Sequence, residues 1–249
     1  MSKLIKTIIF VALAAGLVSS TGCSLRGDAS FQGTEQSGNQ PTCYPKCAEV
    51  DLTGADLRGA FIPDADLRAA RLGETDFSGA NLSRSRARFA ILESANLQGA
   101  AAVSTNFENA FMKGANLENA DLYAAKLTSS NLVDVEATGA SLESVDLALS
   151  DASGAIFMDA SLSGAYLANA ILDEVNLKGA ILKKANFSLA SLKSANLEGA
   201  NLANAVLDGA DLQNANLKGA NLTGASLDGV HWENTICPNG RRADSCEAN

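Results

Sequence analysis

The chain is poor in aromatic side chains, with nine Phe, three Tyr and one Trp among 249 residues. Apolar residues still make up 47% of it, so alanine and leucine must supply the core, and whatever is buried is narrow and repetitive. Histidine occurs once and cysteine five times, which leaves little material for a metal site. Positive charge is also short. With 19 Lys and Arg against 28 Asp and Glu, the net charge is −9. A sequence-independent nucleic-acid binder needs a positive footprint, so no nucleic-acid partner is expected. No apolar run reaches the roughly 20 residues that span a bilayer.

The first residues differ in kind from the rest. Lys3 and Lys6 precede the apolar run Thr7 to Val18 and the small-residue stretch Ser19-Ser20-Thr21-Gly22-Cys23. This order fits a secretory signal peptide over residues 1–22. Its end resembles the bacterial lipoprotein signal, in which a small residue precedes a cysteine that receives lipid. Gly22 and Cys23 match that motif, and Ser20 stands where leucine is usual. The resemblance implies lipidation of Cys23 and a membrane anchor. Ser24 follows rather than aspartate, which by the family rule points to the outer membrane, facing the periplasm. An ordinary cleaved signal, giving a periplasmic or secreted chain, is the alternative. Residues 23–42 are Gly/Ser-rich and polar, as a flexible tether would be.

From residue 50 to residue 234 the sequence repeats every five residues, through 37 units without insertion or deletion. The first position is Ala in 27 units, and the third is Leu in 26 and Phe in four: Phe77, Phe107, Phe157 and Phe187. The fifth is Gly in 14 and Asn in six. A helix would scatter such leucines about 140° apart, and a strand would send them to alternate faces. The chain must instead bend once per pentad, with positions one and three inward and a turn at positions four and five. Gly and Asn tolerate the positive φ that many turns require. Repeated bends of one hand build a solenoid.

Stretches such as Ala195-Asn196-Leu197 and Ala210-Asp211-Leu212 closely resemble the A(D/N)Lxx motif of the pentapeptide-repeat family. The resemblance implies an all-β fold, a right-handed quadrilateral parallel β-helix of about nine coils, with four pentads to a coil. The sequence carries its own test of four sides. In a coil of four pentads Phe107 stacks on Ala87 and Phe157 on Ala137, large over small, as close packing favours.

Both flanks, 43–49 and 235–249, read as caps. Cys43 and Cys47 lie at one end, Cys237 and Cys246 at the other, and in an exported chain such pairs are candidate disulfides. Cys47 and Cys237 also fall in the frame of the central leucines, where they could serve as core-edge residues. Trp232 is expected to lid the last coil.

No catalytic site and no cofactor are expected. His231 points outward without a nucleophile–base–acid set around it, and outward carboxylates such as Asp146 and Asp151 recur too regularly to single out. Arg58, Arg68, Arg71, Arg84, Arg86 and Arg88 form a basic band, residues 89–177 hold twelve acidic residues against Lys113 and Lys126, and Lys178, Lys183, Lys184 and Lys193 follow. Family members of the quinolone-resistance type imitate DNA with a negative surface and engage gyrase. A DNA-mimicking gyrase binder is therefore a further alternative, opposed by the export signal and the flanking basic bands.

Two apolar columns stand out on the exterior. Phe89, Leu149 and Leu189 occupy fifth positions separated by whole coils, and Ile91, Phe111 and Ile171 occupy second positions on a neighbouring column. Aligned exposed apolar groups often mark contacts, although scattered ones are common. They form a candidate ridge for a protein partner of unknown identity, for self-association or for the membrane surface. The overall expectation is a non-catalytic, lipid-anchored rod acting as a binding or scaffold surface.

Overall fold

A computed structural model describes residues 40–246. Cys23, the signal segment and most of the tether lie outside the described residues. Parallel bridges join each second-position residue to its counterpart four pentads on, from Lys46↔Asp66 to Asn216↔Ile236 without a gap. One circuit of the chain is thus four pentads, one to each side. The chain is a four-sided parallel β-helix, and its ladder starts at Lys46, just ahead of the repeat read from the sequence.

The backbone hydrogen bonds explain why the unit is a pentad. In a typical one, Ala55 N–H closes the turn on the Leu52 carbonyl at 2.9 Å. Leu57 N–H reaches forward one coil to the Asp76 carbonyl, and Gly59 N–H to that of Ser78, at 2.8 and 2.9 Å. The second-position N–H reaches back one coil, as Asp76 does to the Ala55 carbonyl at 2.9 Å. Four of five N–H groups therefore have main-chain partners, and the fourth position alone has none. Its donor is taken by the side chain two positions earlier. Glu118 N–H donates to Asn116 Oδ1 at 2.9 Å, and Tyr123 N–H to Asp121 Oδ1 at 3.0 Å. This Asx turn accounts for the Asp or Asn of the motif, since a buried or half-buried backbone donor must find an acceptor.

The turns have a second requirement. Every fifth residue from Glu49 to Asn234 has positive φ, whether or not it is glycine. With positive φ at the fifth position and not at the fourth, the corners have the φ pattern of a type II turn. Val, Ile and Thr never occupy this position from 49 to 234, as expected where β-branched residues are most disfavoured.

Positions one and three form the core. Leu57, Phe77, Phe107, Phe157, Phe187 and the other central residues are buried along the axis. Hydroxyls at the alanine position are satisfied: Thr75, Thr105 and Thr235 donate to the carbonyls of Leu52, Leu82 and Leu212, a coil below. Among the described residues no buried side-chain polar atom lacks a partner.

Each end of the repeat carries a disulfide. Cys43 bonds to Cys47, and Tyr44 donates its hydroxyl to the Pro63 carbonyl at 2.8 Å. At the other end Trp232 is 7% exposed in the central frame. Strand β1 (Thr235–Ile236) pairs antiparallel with β2 (Arg242–Ala243), and Cys237 bonds to Cys246. Cys47 and Cys237 are both core residues and disulfide partners, so both readings of them hold.

Leu117→Asp would place an unpaired carboxylate in the central column. It should destabilise the rod by more than about 4 kcal/mol, whereas Asn116→Ala next to it should cost about 1 kcal/mol by freeing one N–H. Thermal unfolding of the two variants checks the order.

Candidate interaction surface

With the four-pentad period established, every outward residue has an address: a column along the rod and a coil within it. The six ridge residues predicted from the sequence share one side. Phe89, Leu149 and Leu189 sit on its leading corner, 51%, 61% and 64% exposed. Ile91, Phe111 and Ile171 occupy the middle of the same side. Ile91 and Phe111 pair directly in the ladder. Both columns are exposed. Tyr123, Tyr166 and Ile181 are large exposed side chains that sequence reasoning missed. They lie on other columns as single residues, and no run within the sequence marks them.

The corner residues carry a local penalty. Phe89, Leu149 and Leu189 have φ near 59°, in the left-handed region, where a non-glycine residue is disfavoured by roughly 1–2 kcal/mol. On the other three corners the fifth position holds only glycine, alanine or polar residues. Leu189 leans along the rod toward the next coil, and a Cβ at Gly209 would meet its Cδ2 at 2.7 Å. The glycine there leaves room for the leucine. At Phe89 the Arg88 guanidinium lies 5.5 Å from the ring centroid, and Arg88 pairs with Glu108 at 3.2 Å.

In the basic band most arginines are neutralised locally, whereas in 89–177 only Glu108 of the acidic residues is in an ion pair. Arg58 pairs with Asp56, Arg84 with Asp64, and Arg68 and Arg86 with Asp66. The Arg68 hydrogen bond holds the Asp66 carboxyl below its ordinary range, against the opposing effect of burial. Five of the six arginines of the basic band are thus held in ion pairs, with Arg71 in none among the described residues. Asp146 and Asp151 are occupied as turn acceptors for Ala148 and Ser153 N–H. His231 faces Asp211 at 3.1 Å and Glu233 at 3.5 Å. Among the described residues, no group of three His, Cys, Asp or Glu is placed to hold a metal ion.

The family profile for pentapeptide repeats matches in eight copies, over 46–84, 63–99, 103–136, 120–159, 160–199 and 190–229. Among solved structures, HetL, a pentapeptide repeat protein involved in heterocyst differentiation regulation from the cyanobacterium Nostoc sp. PCC 7120, is 34% identical. That match has a TM-score of 0.66 and covers 80% of this chain and 91% of HetL. Rfr23 from the cyanobacterium Cyanothece 51142 is 32% identical over 42% of this chain and 58% of its own, with a TM-score of 0.25. QnrB1, a plasmid-mediated fluoroquinolone resistance protein, is 18% identical over 74% of this chain and 92% of its own, with a TM-score of 0.41. No curated protein matches.

Because the corner leucine is held in left-handed geometry, Leu149→Gly should raise stability by about 0.5–1 kcal/mol while removing part of the ridge. Denaturant titration of the variant against the wild type checks this, and a destabilised glycine variant would contradict it.

Proposed function

The chain belongs to the pentapeptide repeat family, and from that premise we propose that it is a non-catalytic, right-handed rod of about nine coils, exported, lipid-anchored at Cys23 and presenting a protein-binding surface in the bacterial envelope. Members of the family are in general structural or binding proteins. The observation that carries the binding role is the apolar ridge, because its corner residues are retained at a conformational penalty that glycine would remove. Soluble surfaces scatter apolar residues singly, whereas here six of the large exposed ones share a side. The relation to HetL, named for a part in regulation, supports a role in contacts rather than chemistry. Export and anchoring rest on the segment that ends at Cys23: two lysines, a short apolar run and Gly22-Cys23.

Mass spectrometry of the mature N-terminus tests the anchor. A diacylglycerol-modified Cys23 is the expected result, and a chain that is cleaved without lipid, or that retains Met1, overturns it. The surface is tested by changing Phe89, Leu149 and Leu189 together to Ser and comparing membrane-crosslinking pulldown and sedimentation profiles. Loss of a captured species is expected, and unchanged profiles would remove the ridge as a binding site.

A further inference from the structure

We infer that the ridge side of the rod is the interface of an antiparallel homodimer, in which Phe111 of one copy packs on Ile171 of the other. This names the partner of the surface proposed above and rests on that reading. The argument starts from symmetry. When two identical rods meet face to face about a two-fold axis lying across the rods, each column meets the same column of the partner with its order reversed. Self-complementarity can therefore be read within single columns. The relevant columns are the leading corner with the residue before it, the middle of the side, and the trailing corner.

Place the axis level midway between the coils of Asn131 and Asp151. Four of the six ridge residues then meet one another: Phe111 opposes Ile171 in the middle column and Phe89 opposes Leu189 on the leading corner, while Ile91 opposes Ser191 and Leu149 opposes Ser129. The charges on the same side become complementary without having been used to choose the level. On the trailing corner Glu93 opposes Lys193 and Lys113 opposes Asp173. In the middle column Arg71 opposes Asp211, which in its own chain also pairs with Lys193 at 3.3 Å. Beside the leading corner Arg68, which is paired with Asp66 in its own chain, opposes Asp208. Like charges never meet in these columns at this register.

Neighbouring registers lack this property. Sliding one copy by one coil in one direction sets Asp51 against Asp211 and Glu93 against Asp173. The opposite slide sets Lys113 against Lys193 and Ile91 against Asp211. A parallel pair brings equal levels together, so it cannot use the complementarity at all. Lys113 and Asp173 are three coils apart within one chain, about 14 Å, so their opposite signs serve no contact in cis. Glu93 and Lys113 make no ion pair among the described residues, whereas Lys193 pairs with Asp211 of its own chain. The paired charges reach across seven coil spacings, about 34 Å, so the contact runs most of the length of the rod.

Complementary charge variants test the register. The full chain in mild detergent at about 50 µM, enough to populate a micromolar dimer, should sediment as a dimer. E93K/K113E faces like charges in both half-interfaces, as does D173K/K193E, so each alone should dimerise at least about tenfold more weakly. Mixed together, the two variants restore opposite charges in one half-interface and retain the wild-type pairing in the other, so the mixture should recover the dimer. Asp173 also accepts from Ser191 Oγ and from Lys193 N–H. If its variant melts early, E93K/K113E decides the matter alone. A monomeric wild type, a dimer undiminished in E93K/K113E, or two folded variants that stay apart when mixed each overturns the antiparallel pair. A monomer that still captures another protein through the ridge, and loses it in the triple-serine variant, leaves the binding surface standing and removes only self-pairing.

Discussion

Everything in this molecule depends on a backbone hydrogen bond to the chain one circuit away. Leu57 N–H to the Asp76 carbonyl and Asp76 N–H to the Ala55 carbonyl are one instance of a contact repeated on every side of every coil. The bond fixes the circuit at four pentads, and the fixed circuit creates columns. The inward columns become a continuous core of leucine, phenylalanine and alanine, and the outward columns become addresses for surface chemistry. One inserted residue would move a leucine outward and break the bonds on either side of it, which explains why the frame runs unbroken from 50 to 234.

The fold was largely legible because its requirements act on single side chains. Leu and Ala at alternate positions declare an inward face, and Gly or Asn at the fifth declares a turn. The pairing of Phe107 with Ala87 four pentads earlier favours four sides from the sequence alone, and the bridge from Arg86 to Asn106 beside it takes the same four-pentad step. The role of Asp and Asn at the second position was less legible. It follows only after the main-chain donors have been assigned, when the fourth-position N–H is left over and Asn116 Oδ1 is there to accept it. The antiparallel pairing of β1 with β2 was not legible either, since such short strands carry no periodicity.

The surface was legible in proportion to how strongly it departs from the repeat. Phe89, Leu149 and Leu189 are conspicuous because the turn disfavours them, and the period alone brings them to one corner. Tyr166 and Ile181 replace Asp or Asn at second positions on other sides, yet they stand apart and form no surface with neighbours of their kind. A departure from the motif marks a tolerant position. Several departures on one side mark a face on which something other than the coil has acted.

Two rods built on the same spacing are commensurate, and that creates a specificity problem globular partners do not have. Each slide of one coil, about 4.8 Å, brings every column back onto an equivalent column, so backbone shape alone cannot choose among registers. Apolar contacts choose weakly, because Ile91 can meet Ile171 after one such slide nearly as well as Phe111 meets it before. Charge chooses strongly, since opposite signs become like signs within a single step and like charges brought together oppose association. A side that carries Glu93, Lys113, Asp173 and Lys193 in one column is therefore suited to fixing register, while its isoleucines, leucines and phenylalanines supply the adhesion. The same division is built into each coil, where Leu and Ala drive burial and the directional hydrogen bonds decide which residue stacks on which.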